Sequence, residues 1–297
     1  MQMKSVPVLV QWMCVAMCAT TSVRAQDFFD IPAATLPSSI TSEGGGDVNG
    51  SRSLTIQGDV GLQSGVRIRA GYARVDAGDT NYVGGTSWAG LNSDPLAKLS
   101  YGATYEALTR DDGIRSDALK TNLRWRWNSW RIAAFPESRS ITLTETITTR
   151  RNNTRSVETT IRSPGLGVAV AYSGPESWSV ALRHFVYRYD TDLQKLSSHP
   201  VFAQRVATSV ESVVSQSFDA SRSGANVDYA PSWGSVGLEV TRSESAFDHA
   251  VARSVAMNLS WDVARAWTLF TRIGRSHVDG VAAAGFAAAG VTWMWGD

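Results

Sequence analysis

The stretch Leu119-Lys120-Thr121-Asn122-Leu123-Arg124-Trp125-Arg126-Trp127-Asn128-Ser129-Trp130 decides how this chain folds. Leu119, Leu123, Trp125 and Trp127 fall on one parity, and Lys120, Asn122, Arg124 and Arg126 on the other. Successive side chains of a strand point to opposite faces, so this period of two is a β-strand with one apolar and one strongly basic face. Asn128-Ser129 then makes a two-residue turn into a second strand, in which Trp130, Ile132 and Ala134 oppose Arg131.

The same alternation extends in both directions. Upstream it runs through Leu54–Leu62, Val66–Tyr72 and Leu99–Glu106; downstream it runs through Leu166–Tyr172, Trp178–Leu182, Val236–Val240, Val255–Trp261, Trp267–Ile273 and Val291–Trp295. With a weaker strand ending near Tyr229, about twelve strands are expected, each near the 9 to 11 residues that cross a bilayer at barrel tilt.

Two features separate this pattern from a soluble β-sandwich, which also alternates. The face opposite the apolar one carries Arg, Lys, Glu and Asp among Gly, Ala and Ser, a composition suited to a wet lumen. Tryptophan also gathers at short connections: Trp125, Trp127, Trp130, Trp178, Trp233, Trp261, Trp267, Trp293 and Trp295 all stand beside tight turns or the end of the chain. A sandwich would place such residues in its core; a membrane barrel sets them in an aromatic girdle at one interface. Over about residues 51–297 the chain therefore resembles Gram-negative outer-membrane β-barrel proteins. That resemblance implies an all-β, antiparallel up-and-down transmembrane barrel with long extracellular hairpins, in contact with outer-membrane lipid and the barrel-assembly machinery. Such barrels commonly end on an aromatic residue, whereas here Gly296 and Asp297 follow Trp295.

Ahead of the barrel, residues 1–25 read as a signal peptide: Lys4, an apolar run from Val6 to Met17, and Val23-Arg24-Ala25 before the cleavage point. The apolar run is too short for the roughly 20 residues of a spanning helix. Cys18 follows Val15-Ala16-Met17, where Met17 is bulkier than a lipoprotein site favours. Both cysteines, Cys14 and Cys18, leave with this leader, and with them disulfide and thiolate chemistry. Phe29-Asp30-Ile31-Pro32, with Leu36 and Ile40, resembles the opening of the small periplasmic domain found ahead of some secretins and TonB-dependent receptors. The chain continues instead into Ser42-Glu43-Gly44-Gly45-Gly46-Asp47, so residues 26–50 are expected to be a flexible N-terminal periplasmic tail. Loss of Lys4 and Arg24 from 28 basic residues leaves 26 against 27 acidic ones, a charge of −1, which argues against nucleic acid as a partner.

Counting strands back from a periplasmic C-terminus puts the connections near 63–65, 109–115, 150–155, 190–205, 244–251 and 276–283 outside. Asp76–Pro95 then becomes a long periplasmic connection with Trp88 on the inner side, unless it hides a strand at Tyr82–Trp88. Between Ser140 and Arg162 the alternation outruns a membrane crossing and turns Thr-rich, which predicts a hairpin standing above the bilayer with its tip at Asn152-Asn153. Val206–Val214 fits a strand and a helical turn equally well.

Chemistry-bearing motifs are sparse. His184 shares the lipid-facing parity of Leu182 and Val186, His199 and His249 stand alone in loops, and Ser276-His277 with Asp279 is the single cluster of nucleophile type, reading more naturally as a polar loop. No metal-ligand spacing and no cofactor motif occur, and the chain reads as a non-enzyme. The lumen says more. Asp59, Lys120, Arg183, Glu239 and Arg272 are expected inward at mid-depth, Arg67 and Arg69 toward the outer mouth, and Arg124, Arg126 and Arg131 toward the periplasmic one. A surplus of guanidinium groups favours small anionic solutes, acidic sugars included; paired across a narrow barrel, the same charges would merely hold it together. Two functions follow: a channel or transport pore, and a structural or surface-interaction barrel working through its extracellular hairpins.

Overall fold

The computed structural model describes residues 38–295, except 49, 63–64, 78–81, 96, 112, 149–153, 192, 194–217, 247–248 and 280–282. The signal peptide, tail residues 26–37, the tip at Asn152-Asn153, Val206–Val214 and Gly296-Asp297 lie outside the described residues. The strands are β1 (Ser38–Asp47), β2 (Ser51–Gly61), β3 (Val66–Ala77), β4 (Tyr82–Ser93), β5 (Leu99–Arg110), β6 (Ile114–Trp127), β7 (Trp130–Thr148), β8 (Thr154–Ser173), β9 (Trp178–Tyr187), β10 (Asp219–Tyr229), β11 (Gly234–Ser245), β12 (Val251–Ala264), β13 (Trp267–Val278) and β14 (Ala284–Trp295). Each is antiparallel to its neighbours in sequence, and β1 closes the ring on β14, from Ser38 opposite Trp295 to Asp47 opposite Phe286. Closure leaves no strand edge, so every backbone group in the sheet finds a partner without water.

The barrel thus has fourteen strands where twelve were expected. The two additions have one cause: most of their outward positions are small. β1 turns Ile40, Ser42, Gly44 and Gly46 outward and Thr41, Glu43 and Gly45 inward, so a sequence with the composition of a linker is a strand that closes the sheet. The tail expected over 26–50 therefore gives way to β1 from Ser38. β4 occupies the segment expected to be a long connection or to hide a strand at Tyr82–Trp88; its outward positions are Val83, Gly85, Ser87, Ala89, Leu91 and Ser93, none of them aromatic.

β4 also reverses the direction assigned to β2 and β3. The turns at 62–65, 94–98, 128–129, 174–177, 230–233 and 265–266 share one end with Ser38 and Trp295, hereafter the terminal end. The connection at 63–65, expected outside, belongs to this end as well. All the other connections expected outside do lie at the opposite, loop end.

Around the wall, Leu54, Tyr101, Leu119, Val168, Leu182, Leu238, Met257 and Ile273 are each 50–64% exposed, and all face outward. Their neighbours in sequence face inward and are polar or small. Nine tryptophans, Trp125, Trp127, Trp130, Trp178, Trp233, Trp261, Trp267, Trp293 and Trp295, face outward at the terminal end as expected. Several meet in the rim: Trp267 stacks on Trp293 at 6.1 Å, Trp293 meets Trp295 at 4.9 Å, Trp178 meets Tyr229 at 4.8 Å and Trp130 meets Tyr172 at 4.9 Å. Trp88 departs from that rim. It points into the lumen and lies over Gly71 of β3, where a Cβ would stand 2.3 Å from its ring; an inward aromatic covers the bare backbone of a cross-strand glycine. Phe185 covers Gly167 in the same way.

β7 and β8, with 19 and 20 residues, stay paired up to Thr148 opposite Thr154, and the expected hairpin rises past its neighbours. Across it Thr142 and Thr160 share a hydroxyl hydrogen bond of 3.3 Å. An exterior this apolar is stable only in a bilayer, and with a charged interior and a closed ring of strands the protein belongs in the outer membrane.

Candidate functional site in the barrel lumen

Parity alone aims the lumenal side chains. Asp59, Arg67, Arg69, Lys120, Arg124, Arg126, Arg131, Arg183, Glu239 and Arg272 all occupy inward positions, as expected from sequence. Their heights differ from expectation in one respect. Arg67, Arg69 and Asp59 lie at the terminal end and not at the outer mouth or mid-depth, because β4 reverses β2 and β3. The consequence is a single group: Arg67 and Arg69 on β3 stand at the same end of the barrel as Arg124 and Arg126 on β6 and Arg131 on β7. Arg69 donates from Nε to Asp59 Oδ1 at 2.7 Å. Arg126 and Arg131 are direct cross-strand partners, a like-charge pair that costs stability on its own. Arg131 donates to the Ser173 hydroxyl at 3.1 Å. Between β5, β6 and β7, Ser100, Arg124, Arg126, Arg131 and Ala133 line a recess with the turn residues Pro95 and Ala97. On the far wall of the same end stands Asp228, which accepts a hydrogen bond from Asn226.

At mid-depth the lumen is bridged. Glu239 of β11 accepts from Arg183 of β9 through one carboxylate oxygen and from Arg272 of β13 through the other, the latter at 2.8 Å. Arg272 also lies 5.8 Å over the Phe286 ring, while its Nε and Nη1 are buried with no hydrogen-bond partner among the described residues. On the opposite wall Lys120 donates to Glu106 at 2.5 Å. These residues were placed by sequence; their partners were not, because period two gives the face of a strand and not its register.

Toward the loop end the interior changes character. Arg139 donates to Glu137 at 2.7 Å, lies 4.8 Å over the Tyr187 ring, and Tyr187 donates to the same carboxylate at 3.2 Å. Arg222 pairs with Asp219, and Tyr189 donates to the Asp219 carbonyl at 2.8 Å. Burial pushes the Tyr189 phenol above its ordinary pKa. Above these pairs Ile114, Ile141, Ile161, Leu193 and Phe218 form an apolar core inside the mouth. This core was missed in the sequence, since Ile114, Ile141 and Ile161 fall on the inward parity that elsewhere holds polar groups, and Leu193 and Phe218 lie between strands, where alternation assigns no face.

The Ser276-His277-Asp279 cluster is parted by the same geometry. Ser276 faces inward and is buried; His277 faces outward, and Asp279 is 2.8 Å from Arg253. His184 faces the lipid side, with Nδ1 2.8 Å from the Ser223 hydroxyl. Among the described residues no group of three metal-ligating side chains occurs.

No protein-family model and no curated protein sequence matches the chain. Similar solved structures are outer-membrane barrels. A KdgM porin is 12% identical with a TM-score of 0.42, over 87% of this chain and 99% of that one. The outer-membrane expressed OmpT of Vibrio cholerae is 7% identical with a TM-score of 0.48, over 87% and 96%. A NanC porin is 9% identical with a TM-score of 0.43, over 86% and 98%.

Proposed function

We propose that the barrel is a channel through the outer membrane for small anionic solutes, acidic sugars among them. One observation carries this reading: Arg67, Arg69, Arg124, Arg126 and Arg131 converge at the terminal end of one lumen. Guanidinium groups hold carboxylates and phosphates through paired N–H donors, and in a low-dielectric passage each fixed charge weighs more than in water. The Arg183–Glu239–Arg272 bridge and the Lys120–Glu106 pair then form the constriction at mid-depth, offering a passing anion alternative partners for three cations. The loop-end core narrows the mouth on the β6–β8 side.

Planar-bilayer recordings in a salt gradient test the reading. The wild type should conduct with a reversal potential of anion selectivity, and Arg124→Glu with Arg126→Glu should shift it toward cations. A silent or cation-selective wild type overturns it.

The second reading is a surface-interaction barrel, favoured by the β7–β8 hairpin that outlasts its neighbours and pairs to Thr148 opposite Thr154. Shortening that hairpin would then abolish partner binding and leave conductance untouched.

A further inference from the structure

On the outer wall, β11, β12 and β13 end at the loop end in a row of basic residues. Arg242 stands directly opposite Arg253, Arg253 directly opposite His277, and Arg275 follows one outward position lower on β13, opposite Val255. All four are exposed, Arg242 and Arg253 by 51% and 53% of their side chains. Immediately beneath them Val240, Val255 and Ile273 belong to the lipid-facing belt. Cross-strand partners have Cβ atoms about 5 Å apart, so two opposed arginines repel and the fold alone gains nothing from the placement.

Two carboxylates stand on the loop side of the row. Glu244 is 3.6 Å from Arg242 and 3.2 Å from His249, and Asp279 is 2.8 Å from Arg253. Arg275 lies on the membrane side of both and has no carboxylate partner among the described residues. At the opposite rim of the same strands the outward positions hold Trp261 and Trp267. One rim of this wall is aromatic and the other cationic.

We infer that Arg242, Arg253, Arg275 and His277 form a site for the phosphate group of a lipid headgroup in the surrounding leaflet, with the acyl chains of that lipid lying along Val240, Val255 and Ile273. Charge complementarity selects the phosphate, because guanidinium forks match its oxygens in pairs. Continuity with the apolar belt selects a lipid over a free anion, since only an amphiphile satisfies the row and the belt together.

The test uses the chain from residue 26, folded in zwitterionic detergent, with lipid retention read by native mass spectrometry. Three probes are compared: a bisphosphorylated glucosamine glycolipid (lipid A), the same lipid without phosphates, and inorganic phosphate. The phosphorylated lipid should bind at least tenfold more tightly than its dephosphorylated form. Arg242→Gln with Arg253→Gln and Arg275→Gln should remove that preference, whereas Arg265→Gln at the terminal end should keep it. Arg275→Gln alone leaves both ion pairs in place and should lose at least threefold, which covers a triple variant that does not fold. Equal retention of the two lipid forms, an unchanged triple variant, or inorganic phosphate bound as tightly as the lipid would each overturn the inference.

Discussion

Glu239 is 2% exposed between Arg183 and Arg272, and its charge is what allows two guanidinium groups to stand together in the lumen. From alternation alone Glu239→Gln reads as a mild change on a wet face. With the bridge in view it leaves two buried cations facing each other, and removing one partner of a buried ion pair costs about 3–5 kcal/mol. Its neighbour Leu238 is 50% exposed on the lipid side, where an arginine near mid-bilayer costs about 2–4 kcal/mol. Urea unfolding of chains inserted in lipid vesicles should therefore show Glu239→Gln and Leu238→Arg both destabilised; an unchanged midpoint for Glu239→Gln would mean the bridge contributes nothing. Gly167→Val should also fail to reach the wild-type folded yield, because its Cβ would fall 2.2 Å from the Phe185 ring. A compensating Phe185→Ala should restore part of the yield if that clash is the cause.

At the scale of the strand, legibility followed side-chain size. The run Leu119–Trp127 declared itself because large apolar and charged residues alternate without a break. β1 did not, because a lipid-facing glycine at 44 or 46 looks the same as a glycine in a linker; what makes it a strand is pairing with β14 and β2, which no local pattern contains. β4 was legible only as the alternative strand at Tyr82–Trp88, because Trp88 sits on the inward parity over Gly71 and no aromatic marks its outward face. The arginines were each assigned to the correct face, yet their convergence depended on β4, since one unseen strand inverts the height of all residues before it. β1 makes a sharp prediction. A chain beginning at residue 50 leaves β2 and β14 as open edges in lipid, and should give no heat-modifiable folded form on electrophoresis. Normal folding of that truncation would show β1 to be dispensable.

In the whole molecule, the threading sets everything else: fourteen strands, both ends of the described chain at the aromatic rim, and five arginines gathered at that end of the lumen. The chain after residue 25 contains no cysteine, so single cysteines report their own location without background. Val48 lies 74% exposed in the β1–β2 turn at the loop end, and Leu62 lies 41% exposed at the terminal end after β2. A twelve-stranded threading with an N-terminal tail places each of them on the other side. The decisive measurement is labelling of Val48→Cys and Leu62→Cys in intact cells with a membrane-impermeant maleimide. The fourteen-stranded account expects Val48→Cys to be labelled at once and Leu62→Cys only after the membrane is opened; labelling of Leu62→Cys in intact cells, with Val48→Cys protected, would contradict it.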